Sequence, residues 1–223
     1  GQSVYNENPP FYDSSYFVNS AIVAYDGAVY FTVRVQTDAD DFLVRYDANA
    51  GTFITKTSAD VGGSGYTRFP HQFAPAFSNE FDLMYVLVGT AAIFGGGGKI
   101  VAVSPTTLTV LHSAFTGDPR NPSSSCLVFD DSTASPTIAP DGDVFLGMLG
   151  FGGSGSSFRN LGWLLHWNKF LNVVKTPGGF GWDDTATIVN SSAAENYSGT
   201  SSYLLFMKYN DYVGVGQGLH RLA

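Results

Sequence analysis

The segment Gly178-Gly179-Phe180-Gly181-Trp182-Asp183-Asp184-Thr185 gathers the residue types with which a protein holds a ligand. Its glycines let a backbone approach closely, Phe180 and Trp182 offer stacking faces, and Asp183 and Asp184 offer oxygen ligands or acid/base groups. Such a set suits a sugar or a cation, and Trp163 is the further tryptophan candidate beside it. The same residues would also serve as a connection between sheets, with Trp182 wedged between them. Asp183 and Asp184 alone are not a glycosidase pair. Neighbours on a strand point to opposite faces, whereas that chemistry needs carboxylates facing one another across about 5 to 9 Å.

A second candidate is Asp38-Ala39-Asp40-Asp41, whose clustered carboxylates could take Ca²⁺. It lacks the glycine and the distal glutamate of an EF-hand loop, and a solvated hairpin tip is its other reading. Asp130-Asp131 reads in the same way. His71, His112, His166 and His220 are spread along the chain at no ligand spacing. No Gly-x-Ser-x-Gly elbow is present, and the glycine-rich runs 95–98 and 152–157 lack the Lys-Ser/Thr ending of a phosphate loop. Cys126, between a serine run and Leu127-Val128-Phe129, reads as a buried thiol. No residue emerges as catalytic.

The 223 residues carry 19 acidic and 11 basic side chains, a net charge of −8. That balance argues against a surface built to neutralise the phosphates of nucleic acid or to dock on anionic lipid. No apolar run approaches the roughly 20 residues needed to span a bilayer as a helix. A single cysteine rules out an internal disulfide and a cysteine-based zinc cluster. With 44% hydrophobic and 13% charged residues, the chain has the makings of a core. Asn190-Ser191-Ser192 and Asn196-Tyr197-Ser198 fit the N-glycosylation pattern and lend slight support to an exported, extracellular or periplasmic protein.

The elements that must position these residues are strands. Runs such as Val29–Val35, Leu83–Val88 and Val144–Leu149 are β-branched and aromatic, bounded by Gly, Asp, Asn and Ser. No window shows the helical period with caps that a long helix demands, and the ambiguous stretch 161–174 is read with its strand neighbours. The fold class is all-β. The strand groups recur about every 50–60 residues, the size of a four-stranded propeller blade with long loops. After an extended lead-in over 1–19, the blades fall at approximately 20–73, 74–133, 134–183 and 184–223. Turns such as Pro140-Asp141-Gly142 reverse the chain within a blade, Asp-Gly supplying positive φ. Leu219–Ala223 looks like the beginning of a further strand.

Two stretches carry a family resemblance. Ser135-Pro136-Thr137-Ile138-Ala139-Pro140-Asp141-Gly142-Asp143-Val144-Phe145-Leu146-Gly147 resembles the repeat of quinoprotein-like (PQQ-like) β-propellers. Tyr46-Asp47-Ala48-Asn49-Ala50-Gly51-Thr52 resembles that family's strand-to-turn segment, in which an Asp precedes a turn ending in Gly-Thr. The second copy departs from the pattern, with Asn79-Glu80-Phe81-Asp82 in place of the Asp-Gly turn. The resemblance implies a β-propeller or half-propeller of about four four-stranded antiparallel blades. It also brings to mind a pyrroloquinoline quinone (PQQ) cofactor. The family's enzymes set a disulfide of adjacent cysteines over the quinone, which one cysteine cannot make, and no cofactor is predicted.

Family propellers usually have more blades, so the ring is expected to be completed by a second copy, a second chain, or the chain's own lead-in. The functional expectation is an exported binding or scaffolding module that recognises glycan or polypeptide through mouth loops at 94–99, 151–159 and 178–184. A part of a propeller enzyme, oxidoreductase or hydrolase, and a structural subunit of an extracellular assembly stand as the alternatives.

Overall fold

The computed structural model of the chain describes residues 13–36, 40–90, 96–128, 134–150, 162–178 and 184–207. Antiparallel sheets follow one another in chain order. The first has five strands: β1 (Tyr16–Val18), β2 (Val23–Tyr25), β3 (Ala28–Val35), β4 (Phe42–Asp47) and β5 (Thr52–Thr57). β3, β4 and β5 form a meander, while β2 and β1 share the other edge of β3, one along each half. Residues 16–18 of the lead-in therefore belong to the first sheet. A five-residue helix, α1 (Ser58–Gly62), follows, closed at its start by a capping box between Thr57 and Asp60.

The second sheet is β6 (Ala76–Ser78), β7 (Leu83–Gly89), β8 (Gly98–Val103) and β9 (Val110–Phe115), paired in that order. A small hairpin of β10 (Gly117–Asp118) and β11 (Asn121–Ser125) leads on to the third sheet. That sheet has β12 (Thr137–Ile138), β13 (Val144–Leu149) and β14 (Gly162–Trp167), and Val174 and Gly178 bridge back to Trp167 and Leu164 along its outer edge. The fourth has two strands among the described residues, β15 (Thr187–Asn190) and β16 (Tyr203–Phe206), joined through a 3-10 turn at Ser191–Ala193. No helix among the described residues is long and apolar enough to cross a membrane.

The turns show where sequence chemistry meets geometry. Asp26 (φ 45°) and Gly27 (φ 72°) both adopt positive φ between β2 and β3, as a tight hairpin requires. In the matching turn of the third sheet only Gly142 (φ 86°) does so, and its missing Cβ leaves room for Phe81 and Lys169. The second sheet, without Asp-Gly, uses Asp82 (φ 49°) instead. Aspartate tolerates this region better than most residues.

Packing follows the alternation of strand side chains. On β7 and β8, Leu83, Tyr85, Leu87, Ile100 and Ala102 join a core with the third sheet's Val144, Leu146, Met148, Leu165 and Trp167. The intervening residues Met84, Val86, Val88, Val101 and Val103 join a second core with Ala28, Tyr30 and Leu43 of the first sheet. Phe145 and Leu164 turn to the far side of the third sheet and meet Ala186 and Met207, with Ile188, Tyr203 and Leu205 against them.

Asp41 is a buried hub of the first sheet. Its side chain is 0% exposed and its oxygens accept from the Val35 and Phe69 backbone N–H groups and from Arg68 Nη1 at 3.1 Å. Arg34 Nε stands 4.0 Å away. Burial pushes the Asp41 carboxyl above the ordinary aspartate value, against the pull of these donors. Removing it with Asp41→Ala strips the buried Val35 and Phe69 N–H groups of their acceptor and Arg68 of this ion pair, and is expected to cost about 3 kcal/mol. Urea unfolding reads this as a lower midpoint at unchanged slope. A loss below about 1 kcal/mol would show that these groups are satisfied without the carboxylate.

Candidate inter-sheet cleft

A cleft of about 650 Å³ opens between the third sheet and β16. Its floor is one face of the third sheet, supplied by Phe145 on β13 and by Leu164 and His166, two apart on β14. Its walls are different in kind. Thr176-Pro177-Gly178 line one side and six consecutive residues, Thr200 to Leu205, line the other. Three of these, Tyr203 to Leu205, belong to β16, where neighbouring side chains point to opposite faces, so the strand's backbone borders the space as well. One edge of β16 pairs with β15, and no pairing of its other edge occurs among the described residues.

Beneath one end lies a charged network. Asp143, 5% exposed, follows the Asp141-Gly142 turn. His166 Nε2 stands 2.7 Å from its Oδ2, and Lys175 Nζ bonds the same oxygen. The other ring nitrogen of His166 faces the Thr176 carbonyl at 3.4 Å. Both ring nitrogens thus face acceptors within the protein. Phe145 stacks on the imidazole at 4.1 Å between centroids, and Tyr203 meets Phe145 edge-on at 6.4 Å.

At the mouth, the exposed Asp141 carboxylate accepts from the Asp143 backbone N–H and, at 3.3 Å, from the Tyr203 hydroxyl. Neither partner is a cation. Burial, and then the nearby charges of Asp141 and Asp143, push the Tyr203 phenol up to about 12. The mouth therefore presents a carboxylate beside a protonated phenol.

The residues singled out from sequence are distributed differently. Phe180, Trp182 and Asp183 lie outside the described residues, as does Asp38. Asp184 is half-buried just before Thr185, whose hydroxyl accepts from the Ser135 backbone N–H. Trp163 stands on β14, where the Arg120 guanidinium lies 5.6 Å from its ring. Arg120 in turn makes a two-pronged pair with the buried Asp118, through Nε at 3.0 Å and Nη2 at 2.7 Å. A Cβ at Gly150 would sit 2.7 Å from Arg120 Nη2, Asp118 Oδ2 and Trp163 Nε1 alike, so this polar group closes around a glycine.

Asp40 is half-buried, and the oxygens of Asp41 are held by the protein donors described above, not by solvent. Among the described residues no group of three or more His, Cys, Asp or Glu is placed to hold a metal ion. The cleft residues Asp141, Asp143, His166, Lys175 and Tyr203 did not stand out as a group in the sequence. Their spacing follows sheet register, and the one local cue was the turn that carries Asp141 and Asp143.

No protein-family model matches the chain, and no curated protein matches it in sequence. Among solved structures it is similar to the crystal structure of quinohemoprotein alcohol dehydrogenase from Comamonas testosteroni. The TM-score is 0.52 at 12% identity, over 86% of this chain and 40% of that one. A quinohemoprotein alcohol dehydrogenase from Pseudomonas putida HK5 gives 0.49 at 13% identity, over 89% of this chain and 39% of that one. The chain thus spans about 40% of the length of these proteins. At that identity the likeness is one of fold: the chain is a partial β-propeller of the quinoprotein-dehydrogenase type.

Two outcomes are expected. Tyr203 ionises near pH 12, detectable as a late step at 295 nm that Tyr203→Phe removes. Because the folded chain holds this proton more tightly than the unfolded one, the contribution is complete below about pH 10 and is lost as pH rises toward 12. Cys126, fully buried, has its thiol pushed far above the ordinary range by burial. It should resist a thiol reagent in the native protein and react only on unfolding.

Proposed function

We propose that this chain is a binding module built on propeller sheets, with the cleft between the third sheet and β16 as its recognition surface for a glycan or a polypeptide. The observation that carries the reading is the cleft itself. It combines a floor of packed rings, bordering backbone edges, and an exposed carboxylate–phenol pair that no cation neutralises among the described residues. Its volume falls within the about 300–1,000 Å³ of ordinary ligand sites. The chain's span of about 40% of the similar solved structure supports the accompanying proposal that a second copy or a second chain completes the ring.

The similarity to quinohemoprotein alcohol dehydrogenases raises a quinone as the cofactor of a dehydrogenase. The residues of this chain do not fit it. Its one cysteine cannot form a disulfide over a quinone, and Cys126 is buried. The Trp163 ring carries Arg120, which is committed to Asp118.

The test is a binding screen with glycans and peptides on the purified chain, repeated with Asp141→Ala combined with Tyr203→Ala. The reading expects any ligand found to lose about tenfold or more in affinity in the variant. Full affinity in a folded variant moves recognition elsewhere, and alcohol oxidation recovered with a bound quinone replaces the reading with an enzymatic one.

A further inference from the structure

We infer that Asn19 and Thr32 bind a buried, long-lived water molecule at the point where residues 69–73 are fastened to the first sheet. The site belongs to the first sheet, apart from the cleft, and stands whichever way recognition by the cleft is decided.

The backbone sets the place. β1 and β2 follow one another along β3, and the ladder is interrupted where one gives way to the other. The last pair of β1 is Val18 with Val33, so Asn19 comes opposite Thr32, and its N–H donates to the Thr32 carbonyl at 2.8 Å. The return bond is replaced. The Thr32 N–H donates to the Ser20 hydroxyl, while the Asn19 carbonyl accepts from the Gln72 N–H. Asn19 Nδ2 donates to the Phe69 carbonyl at 2.8 Å, and the Ala21 N–H to the Phe73 carbonyl at 3.0 Å. Residues 69–73, which lead toward the second sheet, are thus stitched to the changeover.

The side chains supply the chemistry. Opposite residues of an antiparallel pair share a face, with Cβ atoms about 4.5–5.5 Å apart. Asn19 is 2% exposed and Thr32 0%, and Thr32 has the parity of Ala28 and Tyr30, which join the core with the second sheet. Because the Asn19 amide donates to a carbonyl, its nitrogen is spent and Oδ1 is the end left over. Neither Asn19 Oδ1 nor Thr32 Oγ1 has a hydrogen-bond partner among the described residues, although the two residues face one another. Burying either oxygen without a partner is costly. One water answers both, donating to Oδ1 and either donating to the hydroxyl or accepting from it. The Phe69 carbonyl, which takes the other end of the same amide, keeps a second lone pair as a third partner. A calcium ion takes about six to eight oxygen ligands, more than this pair supplies.

The experiment uses the full chain and two readouts: a high-resolution crystal structure, and a count of long-lived waters in solution by water-deuteron relaxation dispersion. Thr32→Val removes the hydroxyl at nearly constant shape, and Thr32→Ser keeps it. The native crystal is expected to show density within hydrogen-bonding distance of both Asn19 Oδ1 and Thr32 Oγ1. The count is expected to fall by about one water in Thr32→Val and to hold in Thr32→Ser. A native crystal without that density, with Thr32 Oγ1 bonded to Asn19 Oδ1 or to another protein group, overturns the inference, and this readout needs no variant to fold. A count unchanged in Thr32→Val, or lowered equally in Thr32→Ser, overturns the hydroxyl as a partner of the water.

Discussion

The fold depends on burying both faces of its middle sheets at once. All seven residues of β7 are buried, and so are all six of β13. A strand with period-two alternation can achieve this only when another sheet lies on each side. Even-numbered positions of β7 answer to the first sheet and odd-numbered positions to the third. No sheet of this kind is stable alone, because half its apolar surface would face water. Tyr30 and Tyr85 add a polar tie to the same stacking: each phenol reaches out of its own sheet, to the Pro105 and Lys169 carbonyls respectively.

The cleft arises where that rule is met incompletely. β15 and β16 cover the part of the third sheet around Phe145 and Leu164, forming the small core with Ala139, Ala186 and Met207. Farther out, at His166 and Thr176, no described strand continues the cover. A polar network stands there in place of an apolar one, since Asp143 at 5% exposure would be costly without Lys175 and His166 as partners.

Much of this architecture was legible in the sequence because strands and turns write themselves locally. The run Val144–Leu149 is recovered residue for residue as β13, and Asp26-Gly27 forms the turn its dipeptide demands. What escaped was set by distance along the chain. Asp41 looks like one of several loop carboxylates, yet its partners Val35, Phe69 and Arg68 come from both sides of it in sequence and draw it into the interior. Asp143, His166 and Lys175 meet across strands separated by long loops, so no spacing rule could join them. His166 carried no signal beyond being a histidine. Trp163 attracted notice as an aromatic, but a guanidinium occupies its neighbourhood for reasons that lie in the β10–β11 hairpin.

The two-faced burial of β7 also bears on how the chain reaches this state. As synthesis proceeds, the second sheet can rest one face on the first as soon as it forms, while Leu83, Tyr85 and Leu87 wait for residues some sixty positions later. During that interval an apolar, strand-forming surface is open to any neighbour, the condition under which nascent chains mispair or recruit chaperones. Contacts of such long sequence separation also slow folding. Order of emergence is therefore a property of this architecture as much as the final packing is. The third sheet, arriving late, closes the vulnerable side of the second and in doing so opens one of its own.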